Sequence, residues 1–150
     1  MSRRGNLKKL ATYLSTKRRS RGFSMTTYSS YRSGAPINDP RKQKSVPECN
    51  TVCCALGNGI RAGVSAGKCH GWDEYSYKFV DNKDQYNWLF NYNWVYYDNT
   101  PKGAAYRIGY FLKCGIPSWF MFPSSAGEQE QKYKECLKIG KEYISSLKRV

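Results

Sequence analysis

Eight cationic side chains occur within the first 22 residues, and no acidic residue lies among them. They are Arg3, Arg4, Lys8, Lys9, Lys17, Arg18, Arg19 and Arg21. Guanidinium and ammonium groups neutralise phosphates, and aromatic rings stack on unpaired bases. Tyr13, Phe23, Tyr28 and Tyr31 lie within or after this run. The residue types therefore fit contact with nucleic acid, DNA or RNA, or with another polyanion. The alternatives are a solvated tail and a basic patch that meets an acidic protein surface.

A second set of side chains could bind a metal ion. Cys49 and Cys53 are four residues apart, within the spacing of structural zinc sites, and Cys69 and His70 could complete four ligands. Against this, the adjacent Cys53 and Cys54 cannot both face one ion without distortion. We therefore predict buried free thiols, with no metal and no cofactor, and keep Cys49, Cys53, Cys69 and His70 as the alternative zinc ligands.

Groupings that could support catalysis are sparse. His70 is the only histidine, and it could pair with Cys53 near a helix N-terminus, where a thiolate is favoured. No cysteine-nucleophile signature surrounds Cys53, and the glycines between Gly57 and Gly67 fit neither the P-loop nor the dinucleotide-binding fingerprint. We predict that the protein is not an enzyme. A thiol- or metal-dependent enzyme is the third alternative after the two binding functions.

The distribution of charge indicates where binding should occur. The net charge is +14 over 150 residues. Residues 1–44 carry 12 Lys and Arg against one acid, Asp39, whereas residues 45–150 carry 13 against 10. A clustered cationic block is typical of proteins that contact a polyanion. No secretory signal or stretch of about 20 apolar residues is present, so we expect neither secretion nor contact with a membrane.

The pattern along the chain predicts where these residues lie. Leu7, Leu10 and Leu14 form one apolar stripe, which predicts a short helix near 6–16 capped by Asn6. The segment 23–47 contains Pro36, Pro40 and Pro47 and is predicted to be extended. We expect residues 1–47 to form a basic arm outside the compact domain 48–150, and the domain to fold without residues 1–22.

Within the compact domain we predict a set of short helices. One covers much of 49–60 and one the first half of 84–94. A third is predicted over 72–80, where the alternation of Tyr75, Tyr77 and Phe79 leaves a short strand as the alternative. The strongest signals delimit a helix over 101–114, with Thr100 as N-cap, Pro101 at the first position and Gly115 after the end. The last helix is predicted over 128–150, where Gly140 weakens it by about 1 kcal/mol. The fold class is mainly α: a single compact domain of about five short helices behind an extended basic arm.

Several segments also resemble a known group of proteins. They are Asn6–Ala11, the Cys-x-Thr-Val-x-Cys-x-x-Gly segment that follows Glu48, Trp88–Phe90, the Asn-Thr-Pro-x-Gly-Ala-Ala-x-Arg-Ile helix that begins at Asn99, and Gly115–Pro117. In that order they resemble a family of small uncharacterised proteins of tailed bacteriophages, including cyanophages. The resemblance covers elements between residues 6 and 117. It implies a phage or bacterial origin and no particular activity.

Together these observations favour a small phage-type protein that binds nucleic acid through its basic arm without catalysis. The cytoplasm of an infected bacterial host or the virion would be its location. The main alternative is a protein–protein interaction module, either a virion component or an inhibitor of a host protein.

Overall fold

The computed structural model describes residues 2–16, 23–25, 27–31, 33–43, 51–121 and 125–148. This part of the chain is a mainly helical, single compact domain, as the sequence predicts. The α-helices are α1 (Arg3–Thr16), α2 (Pro40–Gln43), α3 (Trp72–Ser76), α4 (Lys83–Phe90), α5 (Pro101–Cys114), α6 (Ser125–Glu128) and α7 (Glu130–Lys148). Two 3₁₀ turns, Gly57–Gly59 and Tyr92–Tyr96, and an antiparallel strand pair, β1 (Ser29–Tyr31) and β2 (Thr51–Cys53), complete the described elements.

Helix α5 has the start and the end that the sequence predicts. The Thr100 hydroxyl accepts a hydrogen bond from the backbone N–H of Gly103 at 3.0 Å, which satisfies one of the free donors of the first turn. After the last turn, Gly115 has φ of +82°, a conformation that favours glycine. Ile108 and Leu112 are buried, so the face of α5 that carries them is its core face.

Helices α5 and α7 pack at very short distance. A Cβ at Gly140 would overlap the carbonyl oxygen of Tyr106, and one at Gly109 would come within 2.5 Å of the carbonyl oxygen of Gly140. Glycine at these two positions therefore lets the two backbones touch. Gly140 lowers the helix propensity of α7, but the close packing of α5 against α7 requires a glycine at this position.

Helix α1 differs from the expectation of an arm outside the domain. Leu7, Leu10, Ala11 and Leu14 are buried in the same hydrophobic cluster as the core residues of α5 and α7, and α1 contacts both helices. The apolar stripe was correctly predicted, but its partner is the main core, because a helix with four fully buried apolar side chains must lie against another surface. A domain boundary at residue 47 therefore does not separate α1 from the rest of the fold.

The prediction of a helix over much of 49–60 is wrong. Thr51–Cys53 instead pairs with Ser29–Tyr31 as a short antiparallel ladder, in the register Ser29 with Cys53 and Tyr31 with Thr51. The chain then turns through Gly57–Gly59, where a Cβ on Gly57 would overlap the carbonyl oxygen of Tyr28. The partner strand, Ser29–Tyr31, belongs to the segment 23–47. That segment was predicted to be extended, but no strand pairing was predicted for it.

Aromatic residues of α3, α4 and the following 3₁₀ turn fill the centre of the domain. Trp72, Tyr75, Phe79, Trp88 and Trp94 are buried, and the indole N–H of Trp88 donates to the carbonyl oxygen of Arg107 at 3.0 Å. The helices predicted in 72–80 and 84–94 are confirmed as α3 and α4. Within the described residues no helix combines the length and the apolar character that a transmembrane span requires.

Candidate nucleic-acid interface

Helix α1 separates apolar and cationic side chains onto two faces. Leu10 is fully buried, while its neighbour Lys9 is exposed and Lys8 is half-buried. The 3.6-residue period of the helix produces this separation, because Leu7, Leu10 and Leu14 turn to the core and the lysines turn away from it. The helix thus fixes cations at the surface through the burial of its leucines.

A cleft lies between α1, the loop after the Gly57–Gly59 turn and the end of α3. We call it the first cleft, and its volume is about 620 Å³. Its lining residues are Ser2, Arg3, Asn6, Lys9, Gly63, Val64, Ser65, Tyr77 and Lys78. Three of these residues are cationic and none is acidic, so the first cleft attracts anions.

Hydrogen bonds between distant parts of the chain hold the first cleft in shape. The side-chain amide of Asn6 donates to the carbonyl oxygen of Lys78 at 2.8 Å. The Nε of Arg3 donates to the carbonyl oxygen of Tyr77 at 2.9 Å. Arg3 also faces Asp81 at 3.7 Å, a surface pair that lowers its net contribution to the positive field. Lys9 and Lys78 have no such acidic partner within the described residues.

A second cleft continues the basic surface on the other side of Lys9. Its volume is about 530 Å³. It is lined by Lys8, Lys9, Thr12, Tyr13, Arg61, Ala62 and Leu147. Lys9 lines both clefts, so they form one surface along α1. Among the described residues, the lining of both clefts together contains five cations and no carboxylate.

The structure assigns different roles to the predicted cationic residues. Arg4 donates from Nη2 to the carbonyl oxygen of Leu112 at 2.8 Å, where it satisfies a free acceptor in the last turn of α5. Arg4 is therefore tied to the fold, whereas Arg3, Lys8 and Lys9 line the clefts. Lys17, Arg18, Arg19 and Arg21 lie outside the described residues.

The sequence analysis missed three contributors to this surface, Arg61, Tyr77 and Lys78. Lys78 reaches the first cleft because Asn6 binds its carbonyl from 72 positions away, and no local pattern indicates such a contact. Arg61 directly precedes the loop that contains Gly63 and Gly67. The sequence feature that could have identified Arg61 as part of this surface is its position beside a glycine-containing loop.

The residues considered for zinc do not form a cluster in the described part of the chain. No group of three or more Cys, His, Asp or Glu side chains suited to a metal is found among those residues. Cys53 is buried, and its Sγ donates to the Ser29 hydroxyl at 3.5 Å. Cys69 is buried and His70 is exposed. Cys49 lies outside the described residues.

The thiols offer little support for nucleophilic chemistry. Complete burial raises the pKa of the Cys54 thiol to about 12, so Cys54 stays protonated at neutral pH. Cys53 begins no helix, since it ends β2 instead. The helix N-terminus that would have favoured a thiolate at Cys53 is thus missing.

One further charged group lies in the protein interior. Arg107 is fully buried, with its guanidinium 4.0 Å from the ring centre of Trp94. It donates from Nη1 to the Tyr133 hydroxyl at 2.8 Å, and Tyr133 donates to Asp98 Oδ2 at 2.7 Å. Because aromatic rings enclose this cluster, it holds α5, α7 and the Asp98 loop together and is not accessible to a large ligand.

Comparison with protein-family models, with curated proteins and with solved structures gives no match for this chain.

Proposed function

We propose that the protein binds nucleic acid, without catalysis, along the basic surface formed by the two clefts beside α1. The observation that carries this proposal is the placement of Lys9 in both clefts, with Arg3, Lys8, Arg61 and Lys78 around it. No carboxylate occurs in either lining within the part of the chain that the structure describes. A solvated surface that serves only solubility would mix charges of both signs.

The physical basis is the neutralisation of a phosphate backbone. Each cation that contacts a phosphate releases condensed counterions, so binding weakens as the salt concentration rises. Lys8, Lys9 and Lys78 suit this role because no carboxylate within the described residues competes with the phosphates for them. The resemblance to small phage proteins supports a role in an infected bacterial cell or inside a virion.

The test removes three cations from the clefts in the full chain. In the variant Lys8→Gln, Lys9→Gln, Lys78→Gln, we expect the slope of log K against log salt concentration to fall in magnitude by about 2 to 3. Affinity at low salt should fall at least tenfold, and the melting temperature should stay close to that of the parent. Fluorescence anisotropy with labelled oligonucleotides over a salt series measures both quantities.

A charge-matched control variant replaces exposed lysines that line neither cleft. Lys102→Gln, Lys132→Gln, Lys138→Gln removes the same net charge from α5 and α7, and we expect a much smaller change in slope. A further variant replaces Lys17, Arg18, Arg19 and Arg21 with Gln. If only this variant loses binding, the proposed interface along α1 is wrong, although nucleic-acid binding is retained as a function.

A second candidate function is contact with another protein. The 3₁₀ turn after α4 exposes Tyr92 by 61% and Tyr96 by 77%, and large aromatic side chains at the surface are enriched in protein interfaces. Co-purification from phage-infected cells with and without nuclease separates the two functions. A partner protein retained after nuclease treatment, and lost in Tyr92→Ser, Tyr96→Ser, would favour the protein contact.

A further inference from the structure

The loop that forms one wall of the first cleft has the chemistry of an anion-binding turn. Gly63 and Gly67 have φ of +97° and +57°, which turns the backbone sharply at both ends of the loop. Ser65 lines the cleft, and among the described residues no acceptor binds its backbone N–H. Its hydroxyl accepts from the N–H of Gly67 at 3.2 Å. Free backbone N–H groups in a tight turn are donors suited to a phosphate.

The ammonium group of Lys78 lies beside this loop. A Cβ on Gly67 would be 3.6 Å from Lys78 Nζ, so the positive charge stands directly over the turn. Lys9 faces the same cleft from α1. A phosphate between them would meet two ammonium groups and a free backbone donor.

Tyr77 adds an aromatic ring at the edge of the same cleft. It is 61% exposed, whereas Tyr75, two residues earlier, is fully buried and donates its hydroxyl to the carbonyl oxygen of Val64 at 2.5 Å. The bond from Tyr75 joins α3 to the loop, and the bond from Arg3 to the Tyr77 carbonyl joins α3 to α1. Tyr77 is therefore anchored by its backbone, while the residue lines the first cleft with 61% of its surface exposed.

We propose that the first cleft binds single-stranded nucleic acid, with a phosphate among Lys9, Lys78 and the Ser65 N–H and a neighbouring base stacked on Tyr77. This inference rests on the proposed function and names its substrate class. A groove that tracks the backbone with cations and presents an aromatic ring for a base is the arrangement by which proteins bind single strands.

Duplex nucleic acid would use this cleft less well. In a duplex both faces of each base are covered by its neighbours, so Tyr77 could stack only on a base that had been extruded. The backbone of a duplex could still contact Lys8 and Lys9 from outside. The structure thus separates a charge-dependent contribution, common to both forms, from a stacking contribution that only single strands receive.

The experiment compares a dT oligonucleotide of about 12 nucleotides, an abasic oligonucleotide of the same length and a duplex. The substitution Tyr77→Leu should lower affinity for the dT strand by about 5- to 100-fold, and Tyr77→Phe should keep it. Affinity for the abasic strand and the duplex should not change. Tyr96→Leu is the matched control, because Tyr96 is also exposed but lines neither basic cleft, and it should leave all three affinities unchanged.

The possible failures are distinguishable. If Tyr77→Leu binds the dT strand like the parent while the variant lacking Lys8, Lys9 and Lys78 loses affinity, the single-strand inference is overturned and the proposed function stands. If neither variant changes affinity for any of the three probes, both are overturned. Melting curves of each variant exclude loss of folding as the cause.

Discussion

Arg107 and Lys9 carry the same charge in opposite surroundings. Arg107 is fully buried, and its charge is met by Asp98 at 3.7 Å, by the Tyr133 hydroxyl and by the face of Trp94. Lys9 is exposed in two clefts, and no acidic residue of the described ranges lines either of them. A buried charge must be compensated within the fold, whereas an exposed charge can remain available to a ligand.

The difference shows that this chain uses some of its cations inside the fold and leaves others exposed at the surface. Arg4 belongs with Arg107, because its guanidinium is used on a carbonyl of α5. Lys8 and Lys78 belong with Lys9. Net charge alone does not distinguish the two groups, since both count equally in the total of +14.

Removing α1 should have the largest effect, because the basic surface exists only while the leucines of α1 are buried. A chain that begins after residue 16 loses Leu7, Leu10 and Leu14 from the core, each worth about 2 to 5 kcal/mol. Against a typical total of about 5 to 15 kcal/mol, we expect an unfolded or molten chain. Circular dichroism and thermal melting measure this. A cooperative transition like that of the parent would show that α1 is an independent arm after all.

The next largest effect should come from Arg107→Met. Removing the guanidinium leaves the Asp98 carboxylate without its cation, and we expect a loss of about 3 to 5 kcal/mol in the free energy of unfolding. The double variant Arg107→Met, Asp98→Asn should recover part of the loss, because no charge is then left unpaired. Urea titrations provide the comparison. Nucleic-acid affinity of the folded single variant should match that of the parent, which separates Arg107 from Lys9.

The close approach of α5 and α7 gives a third effect, opposite in sign to what helix propensity predicts. Propensity alone makes Gly140→Ala stabilising by about 1 kcal/mol. Since the added Cβ would overlap the Tyr106 carbonyl oxygen, we expect destabilisation by about 1 to 3 kcal/mol instead. The control Gly127→Ala lies in α6, where the nearest atom is 3.2 Å away in the Tyr97 side chain. A rise in melting temperature for Gly140→Ala would contradict the packing.

Features that depend on local signals were predicted correctly from the sequence. Helix α5 was predicted with its caps because Thr100, Pro101 and Gly115 act within one turn of the helix ends. The leucine stripe of α1 was predicted for the same local reason. What the stripe packs against depends on contacts with α5, roughly a hundred residues away, and periodicity contains no information on the partner.

The candidate site was only partly predictable. Arg3, Lys8 and Lys9 were identified by their density in the sequence, but density also selected Arg4, which binds a backbone carbonyl. Lys78 and Tyr77 reach the first cleft through contacts of their backbone carbonyls with Asn6 and Arg3. The prediction of a helix over 49–60 was wrong because Thr51–Cys53 forms a strand with Ser29–Tyr31. Those three partner residues have no alternating apolar pattern, so the sequence did not indicate the pairing.

Alkaline pH should weaken the interior of the domain, where several tyrosines are buried. Burial raises the pKa of Tyr133 above its ordinary value of 10.0, although the Arg107 guanidinium lowers it in part. Burial raises the pKa of Tyr75 and Tyr86 as well. The folded state holds these protons more tightly than the unfolded state, so their contribution is fully present below about pH 10 and is lost as pH rises above it.

For each such tyrosine the loss is about 1.4 kcal/mol per pH unit above that point, until the folded group itself titrates. Urea titrations between pH 8 and about pH 11.5 measure the slope. The variant Tyr133→Phe should be less stable at pH 8 but lose stability less steeply with rising pH. An identical slope in parent and variant would mean that Tyr133 titrates in the folded protein as it does when unfolded.

The smallest effect on stability should come from Lys9→Gln. Lys9 is exposed and touches no acid within the described residues, and surface substitutions of this kind change the free energy of unfolding by no more than about 0.5 kcal/mol. Loss of the repulsion between Lys9 and the nearby Lys8 and Lys78 should raise the free energy of unfolding slightly at low salt. This gain should vanish at high salt, because salt screens the charges. Melting temperatures at low and high salt measure this, with Lys102→Gln as the control for an exposed lysine outside the clefts. A loss of stability comparable to that of Arg107→Met would mean that Lys9 is a structural cation like Arg107. The contrast between the two residues would then be wrong, and the proposed interface depends on Lys9.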